Sequence, residues 1–311
     1  MGKTAIIFPG QASQYVGMGR DLYESDSRVK RLYEIASDAI GEDIAKLSFQ
    51  GPEERLKETR FTQPAILLHS LAVLIIAGDS LPKADFTAGH SLGEYGSLVL
   101  SGMLEAEESL KAVVKRSSLM ETACQEEPGT MAAIMGLSEA KLNEICKKAS
   151  AEGVVVPANY NSSNQIVVSG SVSGVEEVCR LAKEAGARRA VKLQVGGAFH
   201  SPLMRSAREG MGQHLAPIDF RRPDFPIIPN VTGLPEKDST KIKELLVEQL
   251  TSPVRWHDTM QFLAANEVDT VIEVGPGKVL SGLAKRELPE AQIVNMDTLE
   301  DIAKFNAVIE G

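Results

Sequence analysis

The chain has 311 residues, 43% of them hydrophobic and 24% charged, and a formal net charge of −9. The length is more than one ordinary core needs, the composition is that of a globular protein, and the acidic balance speaks against nucleic acid as a partner. Three cysteines (Cys124, Cys146 and Cys179) are too few and too scattered for a disulfide framework, so a reducing, cytoplasmic setting is expected.

The run Thr4–Phe8 predicts a short strand closed by Pro9-Gly10 and is too short for a signal peptide. Val29, Leu32, Tyr33, Ala36 and Ile40 recur at helical spacing. The apolar run Ala65–Gly78 is shorter than the roughly 20 residues a membrane span needs. It predicts a buried helix opened by Gln63-Pro64, with no membrane partner. "DFTAGHS" predicts a strand entering a turn at Ser91, with a helix from Leu92, and Leu110, Val113, Val114, Ser117 and Met120 mark the buried stripe of the next helix.

After the turn-rich break "EEPGT" the pattern changes. "MAAIMG" predicts a strand, and a helix follows that stops at Gly153. "VVVPAN" and "QIVVSG" predict two strands joined by the turn "YNSSN". A helix with a Ser173–Glu176 capping box ends at Gly186, and "RAVKLQV" supplies a last strand. The order β-α-β-β-α-β is ferredoxin-like. We expect a small ferredoxin-like domain at residues 127–195 inserted into a larger, α/β-hydrolase-like α/β domain formed by residues 1–126 and 196–311. Beyond it, Ser201 with Pro202 predicts a capped helix start, "TVIEV" a strand, Gly275-Pro276-Gly277 a turn and Val279 a helix start.

The chemistry centres on Gly89-x-Ser91-x-Gly93. A strand-turn-helix elbow exposes a serine hydroxyl, and the glycines let the backbone pass close to its neighbours. A hydroxyl needs a base to become a nucleophile. Of five histidines, His69 lies in an apolar helix, His90 should point away from Ser91, His214 lies in a polar stretch and His257 follows Trp256. His200 ends a run of small residues just before a capped helix, whose N-terminus favours neutral imidazole, so it is the base candidate. No aspartate lies between Ser91 and His200, and glutamates such as Glu107, Glu108, Glu144 and Glu177 lie in stretches that look solvated. A Ser-His dyad is therefore expected rather than a hydrolase triad. The backbone N–H of Leu92 suits a developing oxyanion, and Gln11, in the loop after the first strand, is the second donor candidate or else part of a mere turn. Arg116 either grips a substrate carboxylate or stands on a solvated helix face. No metal-ligand spacing and no phosphate loop is evident, so no cofactor is expected.

These motifs together resemble the malonyl-CoA:acyl carrier protein transacylases of bacterial fatty-acid synthesis. The likeness runs through "FPGQASQYVGMG", "TQPAIL", "AGHSLGEY", "KRSSLM", "ANYNSSNQIVVSG", "GAFHSPLM", "EQLTSPVRW" and "VIEVGPGKVLSGL", in the family's order. The resemblance implies malonyl transfer from malonyl-CoA through a Ser91 ester to the phosphopantetheine thiol of acyl carrier protein. It implies His200 as base, Gln11 and Leu92 as oxyanion donors, Arg116 as holder of the malonate carboxylate and the Gln249 carbonyl as the group orienting His200. It puts Gln63 and Met120 in the pocket, Asn159 and Asn161 beside the cleft, and Phe199 where an α-methyl branch is crowded. Arg188 and Arg189 are candidates for carrier protein or CoA phosphates, or else belong to a solvated edge strand. A monomer is expected. Ala12 stands where the family has glycine: a positive φ there strains alanine, and any other φ leaves the methyl harmless. A free-standing acyltransferase serving a polyketide synthase, a serine thioesterase or hydrolase, and a degenerate carrier-binding module are the alternatives.

Overall fold

The computed structural model describes residues 2–309. Its strands are β1 (Lys3–Phe8), β2 (Phe86–Gly89), β3 (Thr130–Met135), β4 (Val155–Ser162), β5 (Gln165–Gly170), β6 (Arg189–Lys192), β7 (Val268–Val274) and β8 (Gln292–Met296). They form two four-stranded sheets, ordered β2-β1-β7-β8 and β4-β5-β3-β6.

The first sheet is wholly parallel. Parallel strands are covered on both faces and so read as continuous apolar runs. In β1, Ile6 and Phe8 enter one core, while Ala5 and Ile7 enter a second that contains Trp256 and Met260. Glu273 is the buried exception in β7; its carboxylate accepts from the backbone N–H of Leu280 and Ser281 at the start of the helix Val279–Glu287. Strand β8 was not expected from sequence. "QIVNM" is a half-buried edge strand, and neither alternation nor a continuous apolar run marks it.

Two long helices, Thr59–Ala77 and Ala106–Glu126, pack against each other beside this sheet. The first is long and apolar enough to cross a membrane, yet it is mostly buried inside the protein. It begins at Thr59, four residues before the expected Gln63-Pro64 opening. A proline this deep in a helix frees the carbonyl four residues back. That carbonyl, on Arg60, accepts from Ser117 Oγ at 3.3 Å.

The second sheet is antiparallel throughout, and its order is that of a ferredoxin-like unit. Ala132 and Ile134 of β3 pack under the helices Glu139–Ala149 and Val172–Glu184. Alternate residues Met131 and Ala133 face the large body. The expected "YNSSN" turn shrinks to Ser163-Asn164, because Tyr160, Asn161 and Ser162 remain in β4. The expected cap also shifts. Ser171, rather than Ser173, accepts from Gly174 N, and Ser173 Oγ donates to the Glu152 carbonyl. The outer edge of β4 is hydrogen-bonded to the large body: Tyr160 N donates to Val254 O at 2.9 Å, and Val254 N donates to Ala158 O at 2.8 Å. This contact holds the small sheet over the C-terminal ends of β1 and β2, where open α/β sheets bind their ligands.

Candidate active site

The loops leaving β1 and β2 run side by side because Phe8 pairs with Gly89. Their backbones approach so closely that a Cβ on Gly93 would lie 2.3 Å from Phe8 O, and one on Gly10 2.5 Å from His90 O. Glycine is obligatory at both places. Between them Ser91 adopts φ 53°, a left-handed conformation costly for a non-glycine residue. Its N–H donates to Asn230 Oδ1 at 2.6 Å, and Asn230 Nδ2 donates to Gly89 O at 2.6 Å. This brace holds the elbow with the hydroxyl aimed into a cleft of about 410 Å³ between the two sheets.

His200 also has positive φ, at 57°. Its Nε2 lies 2.8 Å from Ser91 Oγ, and its Nδ1 lies 2.8 Å from the Gln249 carbonyl. A carbonyl only accepts, so Nδ1 carries the proton and Nε2 presents its lone pair to the serine. Burial, and then the Arg116 charge, hold the imidazole down to about 3. The ring is therefore a neutral base at ordinary pH. The helix N-terminus expected to do this is a short turn, Pro202–Met204, capped by Ser201 Oγ.

Arg116 is fully buried, which overturns the solvated-face alternative for "KRSS". Its Nη2 donates to Ser91 Oγ at 2.9 Å and to Gln249 Oε1 at 2.8 Å, and its Nη1 donates to Gln63 Oε1 at 2.5 Å. Gln63 Nε2 in turn touches Met120 Sδ at 3.5 Å. The guanidinium Nε is buried with no partner among the described residues.

Gln11, Leu92, Gln63, Met120, Asn159, Asn161 and Phe199 all line the cleft with Ser91 and His200. Asn161 Oδ1 lies 3.0 Å from His90 Nε2, so His90 lies on the cleft wall and its ring is turned to Asn161. His69 is the buried core residue expected: its Nε2 lies 2.7 Å from the Asp297 carbonyl, while its Nδ1 has no partner among the described residues. Arg188 and Arg189 are not among the lining residues: Arg188 is hydrogen-bonded to Asn164, and Arg189 begins the edge strand β6. Arg286, unremarked in the sequence, lines the cleft instead. Ala12 has φ 82°, so the strained branch of its two alternatives holds, and its N–H donates to Gln14 Oε1.

Two buried residues escaped the sequence reading. Glu94 lies three positions after Ser91 in "GHSLGEY", and its Oε2 accepts from Gln249 Nε2 at 2.7 Å and from Asn230 N at 3.2 Å. It is a buried glutamate between Ser91 and His200 in sequence, but it touches Gln249 and leaves His200 Nδ1 to the carbonyl, so the dyad remains. The quoted motif was the available signal for Glu94. Asn230, in "IPNVTG", offers none.

An elbow serine and a carbonyl-held imidazole on one cleft, with a buried guanidinium hydrogen-bonded to that serine, define an acyl-transferring site. Residues 5–302 match the acyl transferase domain family, and the chain belongs to it. Its relatives narrow the class. The chain is 43% identical over 304 residues to the malonyl CoA-acyl carrier protein transacylase of Bacillus subtilis (strain 168), covering 96% of each chain. The solved acyl carrier protein S-malonyltransferase of Vibrio cholerae superposes with a TM-score of 0.91 at 40% identity, covering 97% of this chain and 99% of that one. A malonyl-transacylase solved in complex with its type II PKS acyl-carrier protein gives 0.92 at 36% identity, over 98% and 99%.

Proposed function

We propose that this protein moves a malonyl group from malonyl-CoA, through an ester on Ser91, to the phosphopantetheine thiol of an acyl carrier protein in fatty-acid synthesis. His200 Nε2 accepts the hydroxyl proton as Ser91 Oγ attacks the thioester carbonyl. The N–H groups of Gln11 and Leu92 receive the oxyanion. The imidazolium then gives its proton to the departing CoA sulfur, and the carrier thiol repeats the sequence in reverse. Arg116 takes the malonyl carboxylate along its Nε/Nη2 edge, with Gln63 and Gln249 fixing the plane of the fork. Asn159, Asn161, Met120 and Phe199 wall the acyl chain, and Arg286 is better situated than Arg188 or Arg189 for a phosphate. The division into residues 1–126 with 196–311, and 127–195, puts the cleft between the two domains. The chain acts as a monomer in the reducing cytoplasm, consistent with three free cysteines.

One observation carries this reading: Ser91 Oγ lies within hydrogen-bond reach of both a neutral imidazole and a buried guanidinium. A hydrolase for uncharged esters has no use for that cation. Intact-protein mass spectrometry after mixing with malonyl-CoA tests it. One malonyl unit appears on the wild type and none on Ser91→Ala; an unlabelled wild type overturns the reading. A panel of fatty-acid and polyketide carrier proteins distinguishes the two pathways.

A further inference from the structure

Glu94 is the buried carboxylate in the network around Ser91. Its Oε1 has no hydrogen-bond partner among the described residues, while its Oε2 accepts from Gln249 Nε2 and Asn230 N. The Gln249 amide stands between two charges: it donates to Glu94 at 2.7 Å and accepts from Arg116 at 2.8 Å. This network thus balances one guanidinium against one carboxylate. A second carboxylate arriving on Arg116 places two anions around one cation inside the protein, where like charges cannot comfortably both persist.

We propose that Glu94 takes up one proton from solvent when a carboxylate-bearing acyl group occupies Arg116, and returns it when that group leaves. Glu94 is then a positioning residue that sets the pH range over which the malonyl group is held. The inference rests on the malonyl reading above and extends it. No substrate bond changes in this step; a carboxylate plus a proton becomes a neutral carboxyl group, which relieves the excess negative charge.

The groups around Glu94 leave it as the one that titrates near neutrality. Burial pushes Glu94 itself up to about 7, against the opposing pull of its hydrogen bonds and of Arg116. His200, held by the Gln249 carbonyl, and His90, on Asn161, are both held low by burial and stay neutral. Tyr95, next in the chain, is pushed up by burial and stays protonated. Arg116 faces Glu94 from the helix Ala106–Glu126, and β1 packs Phe8 against the elbow helix Glu94–Leu100.

The sign follows from linkage. Below about pH 7 Glu94 is already neutral and malonyl binds at full strength. As pH rises through that value the proton must be supplied, and affinity falls by at most about tenfold per pH unit for a one-proton coupling.

Ser91→Ala isolates binding from chemistry. Its titration calorimetry at pH 8, in two buffers of unequal ionisation enthalpy, compares malonyl-CoA with acetyl-CoA, whose identical phosphates cancel their own titration. The expected result is a differential uptake approaching one proton, with the malonyl-to-acetyl affinity ratio falling by more than about tenfold, and by at most about 100-fold, between pH 6 and pH 9. Adding Glu94→Gln abolishes the uptake and holds the ratio at its acid value. A merely structural glutamate would weaken both donors and leave the pH dependence intact, which refutes the proposal. So does zero differential uptake in Ser91→Ala itself, however Glu94→Gln folds. Failure of malonyl-CoA to bind, with no ester on the wild type, instead overturns the underlying reading and the inference with it.

Discussion

Replacing Arg116 by alanine separates carboxylate recognition from acyl transfer in general. The guanidinium donates from Nη1 to Gln63 and from Nη2 to Gln249 and Ser91, while Nε has no partner among the described residues. A malonyl carboxylate on the Nε/Nη2 edge, taking over the Nη2 N–H that Ser91 Oγ gives up, makes two charge-assisted bonds, each contributing about 1.5–3 kcal/mol. Their loss is about 3–6 kcal/mol, or roughly 10²- to 10⁴-fold in kcat/KM for malonyl-CoA. Acetyl-CoA has no carboxylate and loses only the Arg116–Ser91 contact, about 1–1.5 kcal/mol and roughly tenfold. Rapid-quench single turnovers with each donor measure both numbers on one preparation. The substitution also leaves the Gln63 and Gln249 oxygens without their donor, so thermal unfolding must accompany the kinetics; Arg116→Lys, which keeps the charge and loses the fork, provides an intermediate case. Equal losses for the two donors would show that the cation is structural and would sink the clamp.

Four further outcomes follow from the same geometry. Because His200 is held near 3, kcat/KM with acetyl-CoA stays level from pH 9 to pH 5, and an inflection near the ordinary histidine value would contradict the burial argument. The same shift means that the unfolded chain binds protons the folded one refuses, so the thermal midpoint drops as pH falls from about 6.5 toward 3. Ala12 tolerates its φ of 82° only as a small residue, so Ala12→Val lowers stability by about 1–2 kcal/mol and kcat by about tenfold or more through displacement of the Gln11 N–H; a variant with unaltered kcat would disconnect this loop from the oxyanion. Phe199 is buried on the cleft wall, so methylmalonyl-CoA loads at least about tenfold more slowly than malonyl-CoA, and Phe199→Ala narrows the gap; comparable rates in the wild type would refute the crowding.

Much of the architecture was legible because periodicity reports burial. "TAIIF" could only be a covered strand, and the β-α-β-β-α-β order emerged from turn residues and alternation. Where burial was partial the signal failed: β8 has no clean pattern, and Tyr160–Ser162 looked like turn residues although they pair along β5. Pro64 misled because a distant hydroxyl on Ser117 takes over the hydrogen bond it removes.

At the site, residue type and local spacing were enough to single out Ser91 and His200, since an exposed hydroxyl on a glycine-flanked bend and a histidine before a cap are local features. Sequence alone left Arg116 between clamp and solvated face and left the φ of Ala12 open. Those were decided by tertiary structure, because burial and backbone strain depend on what the rest of the chain packs nearby. Glu94, Asn230 and the Gln249 side chain belong to the same category. They are 155 residues apart at their widest, and their shared hydrogen bonds exist only because the sheet brings three distant segments beneath one serine.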